Sequence, residues 1–414
     1  MKILLLDHPE FTHNTWYLYD GLVRILGRDC VTIFPSKPSF SKIERQESIN
    51  LMDIRWYRDV YKTLDRLPRG IPPMAAGESL TNGDSRISFN ALPHFFPTAI
   101  QSSSPSQQDI DEDELIELIN DKHYDFIVLG NSHRVPTIAL ARLRDRCKCL
   151  PPIVYFDAGE RDEMNAHWWH VFSPQLTFKA ALTPEIFAQK GTPQVPCELF
   201  PMPLSHSQIL IDDMTYQLNN DSFKNRNFDI VSAFGKTWPA RLLVQDRVRD
   251  ISYELSKTRK MNSLLDYYEQ SQLSEAKVSV SMRGSGRDTE RYWEMPARGS
   301  ALICDGTMGC IHPFPFEENK HAMFYRNLDE LESAIRILIN DDDKRIEMAK
   351  NGHNHVRKFH SIEARTLYFL GIIKEKLGIN YTDEQSKKLN NWYIKLDWSS
   401  SLPEWRGPVV GFKE

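Results

Sequence analysis

Short apolar runs that end on polar or small residues recur through the N-terminal half, each followed by a turn or a helix-period stretch. Lys2 to Leu6 reads as a strand. After His13-Asn14-Thr15, apolar positions repeat with helical spacing from about Trp16 to Leu26 and stop at Gly27, and Cys30 to Phe34 reads as a second strand. Strand, turn, helix, strand at this spacing predicts a parallel sheet, because parallel neighbours need a crossover and the crossover is normally a helix. Asp125 to Gly130, Pro152 to Phe156 and Leu176 to Lys179 continue the series.

The alternation restarts after Pro201-Met202-Pro203-Leu204. Phe228 to Phe234 reads as a strand running into Gly235-Lys236-Thr237-Trp238-Pro239, with a long helix to about Leu255. Tyr267-Tyr268-Glu269 falls on a helix, Lys277 to Met282 on a strand, the surroundings of Trp293 on a helix, and Ala301 to Cys304 and Ala322 to Tyr325 on strands. Helices over Leu328–Asn340, Asp343–Lys358 and Ile362–Leu377 close this second unit. The fold class predicted is α/β, with an N-terminal domain over 1–205 and a C-terminal domain over 206–378. Residues 38–112 fit poorly and read as an insertion, because Pro68 to Glu112 is rich in Pro, Ser, Gly and Asn. A lid over an acceptor and a plain surface excursion are both open for it. The tail 379–414 carries Trp392, Tyr393, Trp398, Trp405 and Phe412, too aromatic for a free polar segment. Crossing back to the N-terminal domain is one reading of it, and a local aromatic hairpin or a dimer contact the other.

Composition narrows the partners. A chain of 414 residues exceeds most single cores, for which roughly 100–200 residues is the usual size. The formal charge of −5 gives no general attraction to polyanions, so nucleic acid is not indicated. No apolar run nears the roughly 20 residues that span a bilayer, and a cytoplasmic protein without a membrane span is expected. Six scattered cysteines lack zinc-site spacing, and His167-Trp168-Trp169-His170 reads as an aromatic cluster; no metal and no cofactor are predicted.

In open parallel sheets, ligands bind outside the carboxyl ends of the strands. The richest such stretch runs from Ser281 to Glu294. Gly284 and Gly286 permit close backbone approach, while Arg283, Arg287 and Arg291 can bind a diphosphate beside a helix N-terminus. A tight turn capped by Asp288 or Thr289, with solvated arginines, explains the same residues if the loop stands alone. It does not stand alone: Gly235, Lys236, Thr237 and Arg241 follow the first strand of the same unit, so the two loops can share one anion. Lys236-Thr237 is not a P-loop, since the spaced glycines are missing.

From Phe228 to about His360 the sequence resembles the C-terminal domain of CgeB-like, group-1-related glycosyltransferases. The resemblance lies in Gly235-Lys236-Thr237-x-x-x-Arg241, Arg283-Gly284-Ser285-Gly286-Arg287-Asp288-Thr289-x-Arg291, Glu294-x-x-Ala297-x-Gly299-x-Ala301, and Pro315 to Tyr325. The N-terminal half shares only strand order and Phe156-Asp157-x-Gly159-Glu160. The resemblance implies the GT-B fold, two Rossmann-like domains facing each other across a cleft, and a nucleotide diphosphate-sugar donor. It places the donor ribose on Glu294, whose carboxylate can accept two hydrogen bonds from a vicinal diol. Many retaining relatives carry another glutamate where this chain has Gly286, so that motif does not fix the stereochemistry.

Transfer needs the leaving diphosphate stabilised and, for inversion, a base for the acceptor proton. Cations and a helix N-terminus can do the first without a metal. For the second, Asp157 comes first, at a strand end in Asp157-Ala158-Gly159-Glu160; His13 and His133 follow. Helix capping or pairing with Arg161 would equally explain Asp157 and Glu160. A nucleotide-sugar epimerase and an inactive nucleotide-binding module of the same architecture are the alternatives to a transferase.

Overall fold

The computed structural model describes residues 1–7, 13–35, 49–50, 86–87, 110–130, 134–159, 172–191, 195–203, 220–232, 239–265, 275–284, 286–307 and 309–395. In the first unit, β1 (Ile3–Leu6) leads through α1 (His13–Leu26) to β2 (Val31–Phe34). The two-residue strands β3 (Ile49–Asn50) and β4 (Arg86–Ile87) pair antiparallel within the predicted insertion, the rest of which lies outside the described residues up to Ile110. Then come α2 (Glu112–Asn120), β5 (Phe126–Gly130), α3 (Arg134–Arg146), β6 (Ile153–Asp157), β7 (Leu176–Lys179), α4 (Pro184–Phe187) and β8 (Glu198–Pro201). The six strands run β2-β1-β5-β6-β7-β8, parallel throughout. β1, β5, β6 and β7 are buried at every position, which is why they read in sequence as continuous apolar runs.

The second unit begins with α5 (Asn220–Lys224) and β9 (Phe228–Val231), followed by α6 (Pro239–Ser256), β10 (Ser263–Leu264), β11 (Ala276–Ser281), α7 (Glu290–Ala297), β12 (Ala301–Asp305), β13 (Ala322–Tyr325), α8 (Leu328–Asn340) and α9 (Asp342–Phe359). Its five strands run β10-β9-β11-β12-β13, again parallel. Two Rossmann-like sheets in one chain are the α/β arrangement of the GT-B fold. Asn327 and Asp341 cap α8 and α9, accepting from Glu330 N at 2.8 Å and Lys344 N at 2.9 Å.

The chain then returns to the first unit, earlier than the sequence suggested. The helix over Ile362–Leu377, expected to close the C-terminal domain, is α10, and its Ile362, Leu367, Phe369, Leu370 and Ile373 are buried in the same core as β1 and β5. Phe369 lies 4.6 Å from Phe178 and 6.4 Å from Phe126, ring centre to ring centre. Burying side chains of this size contributes about 1.5–3 kcal/mol each. α10 also runs close against α1: a Cβ on Gly21 would stand 1.9 Å from the Thr366 hydroxyl oxygen, so the contact needs glycine. The crossing therefore falls at His360–Ser361, where Ser361 caps α10 by accepting from Ala364 N at 3.1 Å. Helix α11 (Asp383–Lys395) continues on the first unit, with Gln385 Nε2 donating to Met1 O at 2.9 Å; the tail from residue 396 lies outside the described residues.

Candidate functional site

The carboxyl ends of β9, β11 and β12 meet at the loop between β11 and α7. Arg241, on α6, braces that loop from below: its Nε donates to Arg283 O at 3.0 Å and its Nη2 to Met282 O at 3.1 Å. It was expected to reach a phosphate, but here the guanidinium holds two backbone carbonyls and fixes where the loop starts. Gln245, one turn further along α6, donates to Ser232 O and Leu265 O, both at 2.9 Å, tying the ends of β9 and β10 together. Gly235, Lys236 and Thr237, the other half of the expected anion site, lie outside the described residues.

Arg283 remains partly exposed, with Nε 3.9 Å from Asp305 Oδ2 at the end of β12. Asp305 Oδ1 is engaged by Thr307, accepting from its N at 2.8 Å and its Oγ1 at 2.6 Å. Gly284 and Gly286 both stand in the turn, Gly286 buried. Asp288 is buried beneath it and accepts from Thr289 N at 3.0 Å and Trp293 Nε1 at 3.3 Å. Thr289 occupies the cap position of α7 without a side-chain cap bond. Asp288 thus anchors the turn to the indole.

On α7, Arg291 and Glu294 come together. Arg291 Nη1 donates to Glu294 Oε2 at 3.5 Å, and Arg298 holds Glu294 Oε1 through Nε at 3.1 Å and Nη2 at 2.8 Å. Glu294 is only 3% exposed, and such burial is tolerable for a carboxylate because both oxygens meet guanidinium. Gly299, at φ 79°, turns the chain from α7 into β12, a backbone position that favours glycine.

Sequence reading missed Glu290 and Tyr17. Glu290 opens α7 one turn before Glu294, and its Oε1 accepts a 2.6 Å hydrogen bond from the Tyr17 hydroxyl on α1 of the other unit. Burial, reinforced by the Glu294 charge, pushes the Glu290 carboxyl up to about 7, against the opposing pull of Tyr17, Arg291 and Arg298. The four-residue spacing from Glu294 was the available signal, since it puts both carboxyls on one helical face.

Across the cleft, Asp157 ends β6 and is 3% exposed. Its Oδ1 accepts from Gly159 N at 3.0 Å and from Lys179 Nζ at 3.2 Å, and Lys179 also donates to Gly159 O at 2.7 Å. Burial raises the Asp157 carboxyl above its ordinary range, the Lys179 charge acting against it. Lys179 is fully buried and was legible only as the polar end of a strand. His13 is the first residue of α1, while His133 lies outside the described residues. A small recess nearby is lined by Tyr17, Phe156, Met202, Pro203, Arg365 and Thr366.

The joint between the units is also polar. Arg365 of α10 donates to Pro203 O at 3.1 Å and contacts His360 Nδ1 at 2.6 Å, with its guanidinium carbon 4.9 Å from the Trp293 ring centre. Ile311 N donates to Leu182 O at 2.7 Å. Among the described residues no group of three or more His, Cys, Asp or Glu is placed to hold a metal ion, and no helix is long and apolar enough to cross a membrane.

This loop, brace and helix fall inside a segment with known relatives. Residues 213–371 match the glycosyl transferase-like family model. That description is broader than the CgeB-like group. The glycosyl transferase-like segment contains every described donor-side residue named above except Tyr17, and it ends within α10. No curated protein sequence matches the chain. Among solved structures, the chain is similar to Anabaena HepE in complex with UDP at 13% identity and a TM-score of 0.47, covering 91% of this chain and 100% of that one. A glycosyltransferase from Rickettsia africae aligns at 10% identity and a TM-score of 0.46, covering 67% and 85%. A Listeria monocytogenes protein assigned as a UDP-N-acetylglucosamine 2-epimerase aligns at 11% and 0.43, covering 92% and 97%.

Proposed function

We propose that this chain is a glycosyltransferase that takes a sugar from a nucleotide diphosphate donor held by the C-terminal unit, without a metal. The observation that carries this reading is Glu294, set by Arg291 and Arg298 on the helix that leaves the β11 loop, within the glycosyl transferase-like segment. In this reading Glu294 accepts from the ribose hydroxyls. The loop backbone, the α7 N-terminus, Arg283 and Arg291 face the diphosphate and stabilise its charge as it leaves. Lys236 and the glycine before it would complete the anion site from the β9 side.

The acceptor proton is assigned to Asp157, with His13 and then His133 as the other groups to test. Burial favours the protonated carboxyl and Lys179 favours the carboxylate, so the pair sets the basicity of Asp157 between the two. The acceptor lies on the N-terminal unit, and the protein works in the cytoplasm.

The test is incubation with UDP-, GDP- and ADP-sugars, with and without an acceptor mixture and with and without chelator. Acceptor-dependent release of the nucleoside diphosphate, unaffected by chelator, is expected. Conversion of the donor to its epimer with no acceptor present would replace this reading with an epimerase. A donor that raises the melting temperature yet is never consumed would leave a nucleotide-binding module.

A further inference from the structure

We propose that Glu290 is a further donor-contacting residue of the site just described, on which this inference rests, and that Tyr17 is the positioning residue holding it from the opposite domain. The two are 273 positions apart in sequence and meet at 2.6 Å, so the pair exists only when the units are closed on each other. Tyr17 is buried, and burial holds its hydroxyl firmly protonated, which makes it a permanent donor. The carboxyl of Glu290 is therefore fixed by a group that belongs to the acceptor side of the cleft.

Position along α7 gives Glu290 its task. Residues four apart on a helix stand about 5–6 Å apart on one face. If Glu294 meets the ribose, a carboxyl one turn nearer the helix start and the other domain falls beside the diphosphate or the first sugar. An ionised carboxylate there would repel the diphosphate, whereas the neutral acid can donate a hydrogen bond to a phosphate or sugar oxygen. The charged and titratable groups facing Glu290 are Glu294, Arg291 and Arg298 on α7 and Tyr17 on α1. Burial and Glu294 outweigh the others, and the acid stays protonated up to about pH 7. Tyr17 does double duty: it orients the carboxyl and, by donating to it, keeps this value from rising further.

The experiment measures affinity for UDP-, GDP- and ADP-glucose from pH 6 to 8, using the full chain; these diesters keep a constant charge over that range. For whichever donor binds, wild-type affinity should fall about tenfold from pH 6 to 8, as expected when the bound form requires a proton on a group titrating near 7. Glu290→Gln should bind with a flat profile. Tyr17→Phe should move the midpoint to higher pH, an effect that lost packing alone would not produce, and thermal melts would confirm that both variants fold. A wild-type profile as flat as that of Glu290→Gln, or a midpoint unmoved in Tyr17→Phe, would overturn the inference while leaving the donor site standing. Failure of all three donors to bind the wild type would overturn the functional reading and this inference together.

Discussion

At the end of β6, Asp157 meets a fully buried lysine from the neighbouring strand, whereas at the start of α7 two carboxyls, Glu290 and Glu294, stand a turn apart and only the second has guanidinium on both oxygens. Both places lie at the cleft-facing ends of parallel strands. The N-terminal acid is neutralised within its own sheet before any ligand arrives. In the C-terminal pair, burial and the neighbouring Glu294 charge leave Glu290 holding a proton up to about pH 7, and it accepts from a hydroxyl of the other unit. The Asp157 carboxylate keeps a lysine of its own sheet beside it, whereas Glu290 stands poised between two charge states near neutral pH.

Removing one side of the closed pair should give the largest effect. Lys179→Met leaves Asp157 buried without its cation and is expected to cost about 3–5 kcal/mol in urea denaturation at pH 7. Adding Asp157→Asn should recover most of that loss. A cost below 1 kcal/mol for the single variant would mean that the pair contributes little and that the contrast between the two sheets is overdrawn.

At the other end, Glu294→Ala should weaken nucleoside diphosphate binding by about 1–3 kcal/mol in calorimetry, the range for hydrogen bonds to a charged group. Unchanged affinity in a folded variant would remove Glu294 from the ribose. Arg283→Ala should instead slow turnover of the nucleotide sugar and leave nucleoside binding nearly unchanged, because its proposed partner is the diphosphate.

Acid sharpens the comparison further. On α9, buried His353 and half-buried His355 are neutral and pushed down to about 4, chiefly by desolvation. The unfolded chain takes up these protons near pH 6.5 and the folded one only near 4, so stability is full above about 6.5 and falls progressively toward pH 4. Hydrogen exchange should show the second unit loosening first as pH drops. Glu290→Gln should change how stability depends on pH. Ionising Glu290 costs the fold as pH rises from about 4.5 to 7, and the variant should lack that slope while otherwise melting like wild type.

Much of this architecture is written locally. β7, β13, α8 and α10 follow from runs whose period and caps are contained in their own residues, as Asn327 and Ser361 show. The strand-end loop and the helix that carries Glu294 were legible for the same reason: strand, glycine turn and helix are contiguous. What sequence did not disclose is pairing at a distance. Nothing beside Asp157 in sequence announces Lys179 on the next strand, and nothing beside Arg241 announces the Met282 and Arg283 carbonyls that it braces. β8 and β10 were missed because Glu198–Pro201 ends on a proline, which sequence reads as a strand breaker, and Ser263–Leu264 has only two residues. The allegiance of α10 is a tertiary fact: helical on both sides of His360, the chain gives no local sign of which sheet its next apolar face will meet.

That allegiance sets an order of events at the ribosome. The strands of the first unit emerge early, but the face of the sheet that carries Phe126 and Phe178 stays uncovered until Phe369 has been made, some two hundred residues later. The second unit is contiguous from α5 to α9 and can assemble as soon as it appears. The half made first should therefore be finished last, waiting for α10 to lie down along Gly21 and for Gln385 to close over Met1.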